Sequence, residues 1–264
     1  MCLIAFAWQS HPDYPLIVAA NRDEFLARPA SPAHWWTDAP GLLAGRDLQA
    51  GGSWMGLSAS GRFAALTNYR DPSEKKEGAP SRGALVRNML ESDEPPIDGL
   101  RRLAAGRDRY PAFNLLAGDA GSMAVLESRS GVVRTLEAGV YGLSNHLLDS
   151  PWPKLVRTRS GLAKILAERP DEDTMKAGLL ALLRDPTQAA EAQLPFTGVS
   201  AEWERLLSAA FIRAPGYGTR CSSIVLVDTA GNTSLHEWTW KADGGLHSEV
   251  LHRFTRRPPH PRDA

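Results

Sequence analysis

The sequence predicts a single mixed α+β domain, because strand-like patterning comes first, helical spacing follows, and strand-like patterning then returns. A chain of 264 residues can bury one large core, and a hydrophobic share of 43% is ordinary for a globular protein. The 30 basic and 30 acidic side chains balance, which argues against a general nucleic-acid binder. No apolar run approaches the about 20 residues of a membrane helix, so no membrane span is expected.

Two short strands open the chain. Residues 2–8 are typical of a buried strand, residues 11–15 form a turn rich in Pro and Asp, and residues 16–20 return as a second strand. The polar residues 21–24 follow where that second strand is predicted to stop. An antiparallel hairpin therefore places residues 21–24 at the same end as Cys2.

The middle of the chain is predicted to hold a hairpin, two short helices and a meander. Residues 53–58 and 62–68 bracket a turn, and residues 70–82 lack apolar periodicity and indicate a solvated loop. Ser81 is a candidate N-cap for a helix over residues 83–90. A second helix is predicted over residues 97–105, and the meander strands over residues 113–117, 122–128, 132–137 and 140–144.

Helical spacing then marks residues 152–168, 172–183 and 201–211. Three further strands are predicted over residues 220–227, 233–240 and 246–254. The domain is expected to cover residues 1–255. The basic, Pro-rich tail of residues 256–264 is expected to be disordered.

Cys2 and Cys221 are the only cysteines, so a disulfide framework is not expected. The start of the chain lacks the basic and apolar regions of a secretory signal, which favours a reducing cytoplasm. Cys221 follows Arg220 within a predicted strand, where neighbours point to opposite faces. If Arg220 faces a site, Cys221 is expected to face the core.

Cys2 is the candidate nucleophile. Removal of Met1 would place a thiol, with a reference pKa of about 8.5, beside a free α-amine of about 7.7–8.0. The amine could then accept the thiol proton, so one residue would supply both nucleophile and base. The alternative is that Cys2 is a small buried apolar residue at the start of a strand.

Four further segments accompany Cys2. Asn21-Arg22-Asp23-Glu24 spells the NRDE tetrapeptide, and residues 142–146, 149–154 and 218–223 are similar to later signature segments of the same family. The chain therefore resembles the NRDE-motif proteins, the transport and Golgi organisation 2 family. It is more loosely similar to N-terminal-nucleophile hydrolases of the choloylglycine hydrolase and penicillin acylase type. The resemblance implies a four-layer αββα sandwich.

The same resemblance implies a set of catalytic residues. Cys2 would be the nucleophile, and Asp23 would hold its α-amine in orientation. Asn68, at the end of a hairpin strand, would donate to the oxyanion. Asn145 and Arg220 match the later asparagine and the arginine of those enzymes. Without the resemblance, the asparagines could be turn residues and Arg220 a surface charge.

Substrate contacts are expected from Arg22, Trp35, Trp36 and His146. Arg22 or Arg220 beside Cys2 would favour the thiolate. Arg22 directly precedes Asp23, however, so in a continuing strand the two cannot both face Cys2. The two tryptophans could line the mouth of an apolar pocket or pack in the core, and His146 lies near a site segment but could be structural.

Two functions remain open. The first is hydrolysis of a small amide or thioester through an acyl-Cys2 intermediate. The second, which the family resemblance implies, is a carrier for an amphipathic ligand such as acyl-CoA, a lipid or haem, with a role in lipid homeostasis. The histidines show no metal-ligand spacing, and no metal or other cofactor is expected.

Overall fold

The computed structural model describes residues 2–74 and 78–256. Most of the tail that was expected to be disordered therefore lies outside the described residues, as does Met1. Arg256 is described, and its backbone N–H donates to the carbonyl of Gly231 at 3.0 Å. No helix in these two ranges is both long and apolar enough to cross a bilayer.

The described residues form strands and α-helices in an order close to the predicted one, but three strands, over residues 30–35, 42–47 and 213–214, were not predicted. The strands are β1 (Cys2–Trp8), β2 (Leu16–Phe25), β3 (Ala30–Trp35), β4 (Leu42–Asp47), β5 (Met55–Ser58), β6 (Phe63–Asn68), β7 (Phe113–Gly118), β8 (Met123–Glu127), β9 (Val132–Thr135), β10 (Gly139–Leu143), β11 (Arg213–Ala214), β12 (Tyr217–Val227), β13 (Asn232–Trp240) and β14 (Leu246–Thr255). The helices are α1 (Gly83–Glu91), α2 (Pro96–Ala105), α3 (Pro153–Glu168), α4 (Glu172–Leu183) and α5 (Ala201–Leu206).

Two antiparallel sheets form the centre of the fold. The first, called sheet A, has the strand order β10-β1-β2-β12-β13-β14, with β11 beside β12. The second, sheet B, runs in sequence order from β3 to β9. Helices α3 and α4 pack on sheet A, and α1 and α2 pack on sheet B. The structure is the predicted αββα sandwich.

Three apolar layers hold these sheets and helices together. The layer between the sheets contains Phe6 and Val18 of sheet A and Phe63 and Leu116 of sheet B. A second layer joins sheet B to α1 and α2, and a third joins sheet A to α3 and α4. Alternate residues of β1 and β2 contribute to the first and third layers, as a strand buried on both faces requires.

Two predicted strands differ from the observed ones. β2 continues through residues 21–24 to Phe25, because β12 pairs with it as far as Phe25 and satisfies its backbone groups. β10 leaves the predicted meander and pairs with β1 in sheet A. This pairing covers an edge of β1 that would otherwise be open.

Two helix ends also differ. α5 stops at Leu206, and the backbone N–H of Phe211 instead donates to the carbonyl of Asp185 at 2.9 Å. At the start of α1, Arg82 rather than Ser81 is the N-cap, although the Ser81 hydroxyl accepts the Gly83 N–H at 3.2 Å.

Candidate functional site

A row of four paired residues crosses sheet A at the start of β1. Cys2 pairs with Arg22, Arg22 pairs with Cys221, and Cys221 pairs with Thr239. Side chains of paired residues on neighbouring strands project to the same face. All four line one cavity of about 350 Å³, which opens between the two sheets.

A β-bulge in β12 shapes this row. The register between β2 and β12 shifts between Thr219 and Cys221, so Arg220 is an extra residue. Arg220 and Cys221 therefore both line the cavity, and the expectation that Cys221 faces away from it is wrong. The Arg220 Nη1 donates to the carbonyls of Phe25 and Arg28, both at 2.8 Å, and so braces the turn after β2.

The opposite wall of the cavity comes from sheet B and the start of α1. Asn68 ends β6 and lines the cavity, and within the described ranges its side-chain amide makes no hydrogen bond. Its backbone carbonyl accepts Nδ2 of Asn145 at 2.9 Å. Asn145 is fully buried and does not line the cavity. The two asparagines are in contact, but only Asn68 presents its side chain to the cavity.

Cys2 is 6% exposed, and burial raises the pKa of its thiol to about 11. The negative charge of Asp23 adds to this rise, whereas the positive charge of Arg22 opposes it. Arg22 thus favours the thiolate, as expected, but desolvation raises the thiol pKa by more than Arg22 lowers it. Near neutral pH the thiol is therefore protonated, and its use as a nucleophile requires a proton acceptor.

Asp23 lies on β2 next to Arg22 but has different neighbours. It pairs with Thr219, whose hydroxyl donates to the Asp23 Oδ1 at 2.8 Å. The carboxyl group is buried, and burial raises its pKa. The positive charge of Lys154 on α3 is the largest influence that lowers this pKa. Asp23 thus couples the cavity to the helix layer behind sheet A.

Arg22 belongs to an ionic cluster at the cavity wall. Its Nη2 lies 3.4 Å from Asp47 Oδ2 and 3.7 Å from Glu24 Oε2. Asp47 also accepts Nε of Arg28 at 2.5 Å. All four residues line the cavity, so guanidinium and carboxylate groups alternate along its rim.

Asn21, the first residue of the NRDE segment, has a structural role. It is fully buried, and its Nδ2 donates to the carbonyls of Leu183 and Ala210, both at 2.8 Å. Its Oδ1 accepts the hydroxyl of Ser222 at 2.6 Å. Asn21 fastens the end of α4 and the segment before β11 to the back of sheet A.

Three residues that were expected to contact substrate lie elsewhere. Trp35 packs against Phe254 with ring centroids 5.1 Å apart, and Trp36 is buried with its Nε1 donating to the carbonyl of Ala44 at 3.0 Å. The ring of His146 accepts from or donates to the Ser150 hydroxyl at 2.7 Å. None of the three lines the cavity, because local packing directs each ring into the fold.

Two buried ionisable residues at the site were not predicted from the sequence. Glu237 lines the cavity, accepts the Ala33 N–H at 2.8 Å and the Ser223 hydroxyl at 3.1 Å, and has a raised pKa because it is buried. Lys154 is buried at the start of α3. The available signal for Lys154 was its place in the segment of residues 149–154, whereas local patterning gave no signal for Glu237. Within the described ranges, no group of three or more His, Cys, Asp or Glu side chains is arranged to hold a metal ion.

Comparison with known proteins identifies relatives along most of the chain. The family model described as Transport and Golgi organisation 2 matches residues 1–242. The chain is 36% identical over 260 residues to the Transport and Golgi organization protein 2 homolog of Bos taurus, and 36% identical over 257 residues to that of Homo sapiens. The Transport and Golgi organization protein 2 of Drosophila melanogaster is 30% identical over 267 residues. Each match covers 90% of this chain and 92% of the relative.

A solved structure shares the fold at low sequence identity. The C2A mutant of a conjugated bile acid hydrolase from Clostridium perfringens aligns with a TM-score of 0.50 at 8% identity. The alignment covers 98% of each chain. The fold is therefore that of the N-terminal-nucleophile hydrolases.

Proposed function

The chain belongs to the Transport and Golgi organisation 2 family, and we propose that it hydrolyses a small amide or thioester through an acyl-Cys2 intermediate. The observation that supports this is the position of Cys2. It opens β1 and lines a cavity that also presents Asp23, Asn68 and Arg220. The solved hydrolase with this fold was studied as a C2A mutant, and position 2 of the present chain is also cysteine.

The proposed reaction begins with removal of Met1, which frees the α-amine of Cys2. The thiol proton passes to this amine, and the sulfur attacks the carbonyl carbon of the substrate. The Asn68 side-chain N–H donates to the oxyanion that forms, an interaction whose loss typically costs about 3–4 kcal/mol of barrier. The α-ammonium group protonates the departing amine or thiol, and water then hydrolyses the acyl-Cys2 thioester, which releases the carboxylic acid and restores the thiol.

The buried thiol makes the amine essential to this scheme. In the chain that retains Met1, a thiol pKa of about 11 leaves roughly one thiol in several thousand ionised at pH 7.5. A neutral amine on the same residue would supply the missing base without a further side chain. Asp23, which is coupled electrostatically to Cys2, would hold that amine in place.

Labelling of Cys2 tests the proposal. Protein with and without Met1, established by intact mass, is treated with an acyl thioester and with an alkylating amide, and the modified residue is mapped by peptide mass spectrometry. At pH 7, labelling of Cys2 is expected to be much faster in protein without Met1 than in protein that retains it, and Asp23→Ala is expected to slow this labelling. Cys221→Ser is the matched control because Cys221 is the other thiol of the cavity. Turnover by protein that retains Met1 would refute the mechanism.

One observation favours the second function, binding of an amphipathic ligand such as acyl-CoA, a lipid or haem. Arg82 and Arg220 line the cavity, and within the described ranges they donate hydrogen bonds only to backbone carbonyls. Two guanidinium groups that have no paired carboxylate among residues 2–74 and 78–256 suit an anionic head group. Titration with acyl-CoA and with haem, using Arg82→Ala as the variant, tests this function. Saturable binding without turnover would replace the hydrolase proposal.

We expect either function to operate in the cytoplasm. Cys2 and Cys221 are free thiols, and a reducing compartment keeps them so. Fractionation of cells that express the full chain would test this location.

A further inference from the structure

Arg82 is a cation on the wall of the cavity. It directly precedes α1, and its half-buried side chain lines the cavity. Its Nη1 donates to the carbonyl of Ala112 at 3.0 Å, and within residues 2–74 and 78–256 its guanidinium group forms no ion pair. Because this one contact uses a single N–H, a planar fork of N–H donors is left over.

Most other arginines of the cavity already have a charged partner. Among the described residues five arginines line it, and three of them, Arg22, Arg28 and Arg46, form ion pairs with neighbouring carboxylates. Arg220 forms none in the same ranges, but its Nη1 donates to two carbonyls of the turn after β2. Of these five, Arg82 is therefore the one on the sheet B side that is left for an anionic ligand.

The contact with Ala112 places Arg82 beside the proposed oxyanion donor. The same Ala112 carbonyl accepts the backbone N–H of Tyr69 at 3.0 Å, and Tyr69 directly follows Asn68. Asn68 and Arg82 both line the cavity, on the wall that faces Cys2. A substrate whose carbonyl oxygen meets Asn68 therefore has the Arg82 guanidinium group next to it.

Two glycines fix the position of this wall. A Cβ on Gly52 would lie 2.5 Å from the carbonyl carbon of Gly83, so the two backbones pack directly on each other. The Ser53 N–H also donates to the Gly83 carbonyl at 3.2 Å. The start of α1 is thereby fastened to the connection between β4 and β5, and Arg82 is held with it. A cation that is already in place costs less to order when a ligand binds.

The charge of Arg82 is partly desolvated. Burial lowers the pKa of its guanidinium group, and the negative charge of Glu74 is the largest influence that raises it. An arginine stays protonated near neutral pH even so. A carboxylate or phosphate bound to the fork would replace the lost water with charge-assisted hydrogen bonds.

We propose that Arg82 determines specificity by binding a carboxylate or phosphate group of the amide or thioester substrate. The inference rests on the proposed hydrolysis at Cys2 and deepens it by naming the substrate class, acyl compounds with a negative charge near the scissile bond. Neutral compounds of the same size are then poor substrates, because they leave the guanidinium group without its anion.

Three thioesters of similar size test this specificity in protein without Met1. S-glutaryl-N-acetylcysteamine carries its carboxylate in the acyl group, S-pentanoyl-mercaptopropionate carries it in the leaving thiol, and S-pentanoyl-N-acetylcysteamine is neutral. At least one anionic thioester should exceed the neutral one about tenfold in kcat/KM, mainly through a lower KM, as a charge-assisted hydrogen bond implies. The comparison of the two anionic thioesters shows which side of the scissile bond faces Arg82.

Arg82→Gln should abolish this preference, and Arg82→Lys, which keeps the charge but not the fork, should keep part of it. Arg87→Gln is the matched control, because it removes an arginine of the same helix that pairs with Asp38 and Glu91 and does not line the cavity. The same preference in wild type and in Arg82→Gln would overturn the inference. A fall in kcat for all three thioesters in Arg82→Gln would also overturn it, since that result assigns Arg82 to the reaction itself.

A second measurement needs neither turnover nor a variant. Phenylglyoxal modifies arginine side chains, and the extent of modification at Arg82 is mapped by peptide mass spectrometry in wild type that retains Met1. Glutarate or inorganic phosphate should slow modification of Arg82 at least about threefold but not that of Arg87, and the more effective anion identifies the group that is bound. If wild type never acylates Cys2, the proposed function fails while protection still reveals the anion site. Equal modification of Arg82 with and without both anions would refute it.

Discussion

Asn21→Ala should destabilise the protein strongly although it leaves the cavity wall intact. The substitution removes three buried hydrogen bonds, two to the carbonyls of Leu183 and Ala210 and one from Ser222. Each such bond contributes about 1 kcal/mol net, and a buried carbonyl without a donor costs about 1–3 kcal/mol. We therefore expect the free energy of unfolding to fall by about 3–5 kcal/mol.

Chemical denaturation monitored by circular dichroism measures this loss. For a chain of this size, about 2–4 °C of melting temperature corresponds to each kcal/mol, so a fall of roughly 10 °C is expected in a thermal scan. Asn88→Ala is the matched control, because Asn88 is exposed on α1 and surface changes usually stay within about 0.5 kcal/mol. A loss below about 1 kcal/mol for Asn21→Ala would show that Asn21 does not fasten α4 to sheet A.

Three further predictions follow from the cavity. In protein that retains Met1, alkylation of Cys2 should rise about tenfold per pH unit from pH 7 to 10, because burial raises the thiol pKa to about 11; a plateau below pH 9 would contradict this. Glu237 has a folded-state pKa above its unfolded value, so the stability linked to it is present at low pH and lost as pH rises through the folded pKa. The melting temperature of Glu237→Gln minus that of wild type should therefore increase from pH 4 to pH 8. A difference that stays constant over this range would refute this reasoning. Arg220→Ala should speed amide hydrogen exchange in residues 25–28, and unchanged exchange there would show that its two carbonyl contacts do not hold the turn.

Local patterning predicts most of the fold. Alternation and helical spacing locate β1, α4 and the strands near the C-terminus to within a few residues, because each buries an apolar face whose period is visible in the sequence. Long-range pairing is not visible in this way. The polar residues 21–24 belong to a strand only because β12 lies beside them, and β10 leaves its neighbours in sequence to pair with β1.

The residues of the candidate site were likewise predicted only in part. Cys2, Asp23, Asn68 and Arg220 line the cavity, and family resemblance together with hairpin geometry indicated that they would. Trp36 was expected either at the mouth of a pocket or in the core, and the structure buries it beneath the Arg46 guanidinium, 4.2 Å from the ring centroid. An aromatic side chain serves a core as well as a pocket, so residue type cannot separate the two.

Strand periodicity stops being informative at Cys221. Strict alternation would give Arg220 and Cys221 opposite faces, and the prediction followed from that rule. One inserted residue in β12 resets the alternation, so the guanidinium group, the thiol and Arg22 all reach the same cavity. The bulge has a chemical consequence, because it brings a second thiol into the cavity that holds Cys2. Any thiol reagent that enters the cavity meets both cysteines, so assigning reactivity to Cys2 requires residue-level mapping.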